Sequence, residues 1–151
     1  MNKLIKILAI VLLAASCGQN ESNPVRELSE LKIVTDRGSE VFMVETARSD
    51  EEKRRGLMFR KTLGERNGMI FDMEPAHKTA MWMKNTFIPL DIVFVGEDNR
   101  IAGIYENARP HSEELMISPA PARAVIELNA GTAKKFGIAI GNKIEHDILA
   151  E

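Results

Sequence analysis

Asp91-Ile92-Val93-Phe94-Val95 is apolar at every position after its first residue, and Glu97-Asp98-Asn99-Arg100 then leads into Ile101-Ala102-Gly103-Ile104-Tyr105-Glu106. A run of β-branched and aromatic residues with no polar alternation predicts a strand covered on both faces, central in its sheet. Asn99 tolerates positive φ, so the charged tetrapeptide predicts a turn and Ile101–Glu106 the returning partner. On one side of this hairpin, Gly68–Met73 and Thr79–Lys84 read as strands. On the other, Arg123–Leu128 alternates Ala124, Ile126 and Leu128 against Val125 and Glu127.

Nearer the start, Leu31 and Ile33 face Val41-Phe42-Met43-Val44 across Asp36-Arg37-Gly38-Ser39, the pattern of a hairpin. Ser49-Asp50-Glu51-Glu52 predicts a capping box opening a short helix, with Gly56 at its end. Thr132–Phe136 predicts a second short helix, stopped by Gly137, and Lys143–Ile148 a last strand. Ala108–Pro121 holds three prolines and reads as a long loop. The inventory is mainly β: a compact β-sandwich or partly closed barrel of about seven or eight short strands with two short helices.

The N-terminus has a different character. Lys3 and Lys6 precede the apolar run Ile7–Ala15, too short for a bilayer span of about 20 residues, and small residues lead to Cys17, the only cysteine of the 151 residues. The pattern resembles a bacterial lipoprotein signal, which implies residues 1–16 as a signal peptide, acylation of Cys17 and anchoring in the membrane. Gly18 in the next position implies the periplasmic face of the outer membrane. The polar stretch 17–30 reads as a flexible tether and 31–149 as the domain. Removing two lysines and no acid takes the formal net charge from −2 to −4. That is a poor balance for nucleic-acid binding. With Cys17 acylated no thiol is left for nucleophilic, redox or zinc chemistry.

The densest candidate patch is Met81-Trp82-Met83-Lys84-Asn85-Thr86-Phe87-Ile88-Pro89-Leu90-Asp91, with the sole tryptophan. At strand spacing Trp82 and Lys84 share one face, Met81 and Met83 the other. Two readings stand side by side. Trp82 anchors a core, Asn85 closes a turn and Asp91 caps backbone N–H groups; or Trp82, Lys84, Asn85 and Asp91 bind a ligand, with Arg60 and Glu127 as walls. Glu127 lies on an apolar strand, and a buried acid needs a partner, for which Arg55, Arg60 and Lys84 are candidates.

These blocks also carry a resemblance. Arg54-Arg55-Gly56-Leu57-Met58-Phe59-Arg60, Gly68-Met69-Ile70-Phe71, Trp82–Asp91, Val125-Ile126-Glu127-Leu128-Asn129-Ala130-Gly131 and Gly137-Ile138 before Gly141 together resemble the DUF192 family, also called UPF0127, from about Leu31 to Leu149. The resemblance implies a small, mostly β domain, often exported, and no settled activity. It highlights Arg55, Gly56, Arg60, Trp82, Lys84, Asn85, Pro89, Asp91 and Glu127. Asn142 stands where the family usually has aspartate.

Three functional classes remain open. The first is a lipid-anchored envelope binding or accessory domain of unknown ligand, needing no cofactor. The second is an envelope hydrolase using Asp91 and Glu127 as an acid pair. The third is a Cu(I) carrier using Met81 and Met83 with His77. The sequence contains no Gly-x-Ser-x-Gly elbow, P-loop or His-x-x-x-His spacing, which favours binding over catalysis and gives no metal assignment.

Overall fold

The structure, a computed structural model, describes residues 27–150. The signal peptide, Cys17 and most of the expected tether lie outside the described residues. In chain order the elements are β1 (Leu28–Thr35), β2 (Gly38–Ala47), α1 (Asp50–Arg55), β3 (Asn67–His77), β4 (Ala80–Met81), β5 (Leu90–Val95), β6 (Ile101–Ala108), β7 (Met116–Ile117), β8 (Ala122–Asn129), α2 (Thr132–Phe136), β9 (Lys143–Glu145) and a 3-10 turn, Asp147–Leu149. β1 starts within the stretch expected as tether. Seven strands form one sheet in the order β6-β5-β8-β3-β2-β1-β9, and β4 pairs with β7 in a small second sheet. Among the described residues the fold is mainly β, with two short helices.

The sheet curls until its edges meet. Arg100, just before β6, bridges Lys143 of β9, and Ile101 N–H donates to the Asn142 carbonyl at 2.9 Å. Among the expected forms this is the partly closed barrel, with the small sheet added. Asn142 earns its place at the last turn by accepting a 2.8 Å hydrogen bond from Ala139 N–H through Oδ1.

Both faces of the sheet are covered, which explains the unbroken apolar run of β5: all six of its residues are buried. It lies second from one edge of the sheet, so burial rather than central position produces the pattern. Strand alternation divides the core in two. Leu31, Phe42, Ile70, Val93 and Ile126 face the inside of the curl, with Ala133 of α2 and Ile138. Met69, Phe71, Ile92, Phe94 and Val125 face the other way, under Leu57, Met83 and Met116. β2 and β3 are parallel, and a parallel pair needs a crossover. The crossover here is α1 with residues 56–66, and it delivers Leu57 onto the second face. α1 is capped as expected: Ser49 Oγ accepts from Glu52 N–H, and the Glu52 side chain returns to the Ser49 N–H.

Three elements differ from expectation. The last strand, predicted over Lys143–Ile148, stops at Glu145 and gives way to the 3-10 turn. The strand predicted over Thr79–Lys84 is only Ala80–Met81. It ends because Met83 N–H turns to the Ser112 carbonyl and Thr86 N–H closes back on the Met83 carbonyl. The loop expected over Ala108–Pro121 contains β7, which pairs with that shortened strand.

Candidate functional site

The crossover and the small sheet leave a cleft of about 540 Å³ over the second face. Glu127 sits in its lining. It points to the second face because its neighbours Ile126 and Leu128 belong to the first-face core. Cross-strand partners place Glu45, Met69, Glu127 and Ile92 in one row across β2, β3, β8 and β5. Glu127 is only 5% exposed, and among the described residues its Oε2 has no hydrogen-bond partner. Burial pushes its carboxyl up to about 8, against the opposing pulls of the Leu57 N–H and the Arg60 guanidinium. At neutral pH the group is therefore mostly protonated, a donor as well as an acceptor.

Gly56 lets the chain pass close to this carboxyl. Its φ is +47°, and a Cβ there would stand 3.2 Å from the Phe71 ring and 3.7 Å from Glu127 Oε2. A side chain at position 56 would fill the cleft beside the acid.

Trp82, Lys84 and Asn85 also line the cleft. Trp82 is 42% exposed and is no core anchor. Lys84 Nζ lies 5.1 Å from the centre of its indole, a cation–π distance, and 4.0 Å from Glu113 Oε1. Asn85 does close a turn, at φ +54°, and its carbonyl accepts from Phe59 N–H at 2.9 Å. That bond ties the crossover to the Trp82 segment. His111 N–H donates to the Thr86 carbonyl, and Phe87 packs edge-on against Phe59 and tilted against His111.

Two expected members lie elsewhere. Asp91 is fully buried on the first face, opposite Leu128 in the ladder. Its Oδ1 accepts from Asn107 N–H (2.9 Å) and Gly131 N–H (3.1 Å), and its Oδ2 from Ala133 N–H (2.9 Å). Asp91 and Glu127 therefore occupy opposite faces of the sheet, so the acid pair required by the hydrolase reading does not form. Arg60 does not line the cleft. Its guanidinium is held by both carboxylate oxygens of Glu45, with Nη2 to Oε2 at 2.7 Å. The partner expected at Glu127 is thus found two strands along the same row, beyond Met69, at Glu45. Glu45 is invisible as a site residue in the sequence, because nothing local reveals that the second face of β2 is covered.

The copper reading also fails on geometry. Met83 is 1% exposed and borders a different cavity from Met81. His77 ends β3 and Met81 lies in β4, in a different sheet, and His77 Nδ1 is 2.9 Å from the Pro75 carbonyl. Among the described residues no three His, Cys, Asp or Glu side chains cluster as for a metal ion.

Sequence reasoning missed much of the apolar lining: Phe71 and Met73 from β3, and Met58 after α1. It also missed the α1 cations Lys53 and Arg54. The signal in reach was the position of Arg54-Arg55-Gly56 within a family block, just after a capped helix.

Comparison with the curated proteins finds no match. Among solved structures, the chain is similar to a protein of unknown function from Novosphingobium aromaticivorans DSM 12444. The two are 42% identical over 81% of this chain and 89% of that one, with a TM-score of 0.79. It is likewise similar to a protein from Sinorhizobium meliloti 1021 named provisionally as a transcription regulator, at 37% identity over 82% and 96% of the chains and a TM-score of 0.78. The family model DUF192, described as "Uncharacterized ACR", matches residues 32–146, so this chain is a member of the DUF192 family.

Proposed function

We propose that the chain is a lipid-anchored binding module of the bacterial cell envelope, and that its ligand occupies the cleft between α1 and the Trp82 segment. The carrying observation is convergence. Trp82, Lys84 and Asn85 share one cleft with Glu127, which is distant in sequence and whose buried Oε2 has no partner among the described residues. Buried polar atoms are nearly always satisfied, and an orphan one beside an open cleft is what a bound molecule would complete. In this reading Trp82 supplies a stacking wall and Lys84 an anion contact. Asn85 holds the mouth in shape, while Asp91, Arg60 and Glu45 keep the scaffold rigid. Acylated Cys17 keeps the domain at the periplasmic face of the outer membrane. The name of the Sinorhizobium relative is not carried over, because the mature chain is acidic and nucleic acid demands the opposite.

Trp82 reports on the cleft directly, as the only tryptophan. Its fluorescence is followed in the purified chain while small anions, neutral organic molecules, divalent metals and cell-wall fragments are titrated. A saturable change with one class, lost in Lys84→Ala, is expected. Emission indifferent to every class overturns the reading.

A further inference from the structure

The lining of this cleft selects a ligand class, an inference that rests on the binding reading above. Its buried part is apolar: Leu57, Phe71 and Met73 are all less than a tenth exposed. Met58 and Met81 extend that surface, and thioether side chains adapt to irregular apolar shapes. Its more exposed part is cationic, with Lys53 and Arg54 on α1 and Lys84 across the mouth. Among the described residues Glu127 is the only acid in the lining. A cationic mouth, an apolar interior and one unpartnered buried oxygen describe a molecule by complement.

We infer that the ligand is an organic anion with an apolar body and a hydrogen-bond-accepting oxygen at its inner end. Its anionic head lies against Lys84 and Arg54, its body on Phe71 and Met73, and its inner oxygen on the Glu127 carboxyl. The charged groups around Glu127 agree with this. Lys53, Arg54 and Arg55 come from α1, Arg60 with its Glu45 partner from the crossover and β2, and Lys84, with Glu113 Oε1 4.0 Å from its Nζ, from beyond β4. The row neighbours Met69 and Ile92 are apolar. With its carboxyl raised to about 8, Glu127 presents an O–H to the ligand at neutral pH and loses it above that value. Binding of an acceptor-only oxygen then weakens as pH rises through about 8.

The test uses 9-oxodecanoate, an aliphatic acid with a carbonyl at the end remote from its charge, against the full chain at about pH 6.5, read by Trp82 fluorescence and calorimetry. Two analogues each lack one element: decanoate has no inner carbonyl and 2-decanone no anionic head. Decyltrimethylammonium reverses the charge. 9-Oxodecanoate should bind most tightly, with each omission costing about tenfold, the worth of one hydrogen bond or charge contact. Glu127→Leu should erase the preference for 9-oxodecanoate over decanoate. Glu127→Gln, whose amide still donates, should keep that preference at about pH 9, where the parent protein loses it. Thermal melts establish that each variant folds. Tighter binding of decyltrimethylammonium, or affinity for 9-oxodecanoate unchanged in both Lys84→Ala and Glu127→Leu, overturns the ligand class and leaves the binding module standing. Silence toward all four probes also overturns the class. The module itself falls only if the broader titration of Trp82 is silent too.

Discussion

Glu127 occupies a strand position that packing alone would give to valine or isoleucine. Its neighbours in the row are Met69 and Ile92, and removal from water is the largest influence on its carboxyl. The consequence for stability has a definite sign. The folded chain holds this proton up to about pH 8, whereas the unfolded chain releases it near the ordinary value of 4.5. Between those limits the folded state binds more protons, so stability falls as pH rises through the window and levels off above it. At roughly 1.4 kcal/mol per unit the loss reaches a few kcal/mol. Glu127→Gln should remove this component, leaving the variant more stable than the parent at about pH 9 and closest to it at about pH 5. Urea midpoints at the two values test it. A constant difference between parent and variant would show that Glu127 is ionised throughout. The same residue shows the reach of the sequence: its inward direction follows from the alternation around it, but the identity of its neighbours does not. Arg60 was a reasonable partner by charge and is instead held by Glu45, because the crossover sets it above β2.

At the scale of elements, Asp91 joins three of them. α2 is five residues long and has no side-chain cap of its own, since its N-cap is Gly131 at φ +83°. Asp91, from the start of β5, supplies that cap through Gly131 and Ala133 N–H, and holds Asn107 N–H at the end of β6 with the same carboxylate. An acid at a helix N-terminus is favourable, and a buried one with three backbone donors is far more so. Asp91→Ala strands those donors and should cost about 3–5 kcal/mol. Its melting temperature should drop sharply, while affinity at the cleft, on the opposite face, is retained where the protein is still folded. Selective loss of binding at unchanged stability would place Asp91 in the site after all. Short-range signals were the legible ones here. The capping box of α1, the Asn99 turn and the Gly38 hairpin each depend on residues within a few positions of one another. The Thr79–Lys84 stretch kept its alternation in part, with Met83 buried between exposed Trp82 and half-buried Lys84. It lost its ladder because the partner for Met83 N–H is Ser112, nearly thirty residues on.

At the scale of the whole molecule, one sheet serves two cores. Its curl brings the Arg100 and Lys143 edges together, and its outer face carries the crossover and the small sheet. Composition and period pointed to a β domain. The apolar run of β5 announced a covered second face, and partial closure was one of the two expected forms. Which segments cover that face and which edges meet were illegible, because both depend on contacts between segments remote in the chain, which no local pattern encodes. A consequence of this arrangement is that the anchor and the domain should be separable. The described residues complete their own cores, and no helix among them is long and apolar enough to cross a membrane. Membrane attachment, on the proposed reading, then rests on Cys17 alone, since several acyl chains suffice for stable anchoring. Cys17→Ser should move the protein from the membrane fraction to the soluble fraction of the cell, with the melting temperature of residues 27–150 and the Trp82 response to ligand unchanged. Retention of the variant in the membrane fraction would mean that a surface of the folded domain itself holds the bilayer or an envelope protein.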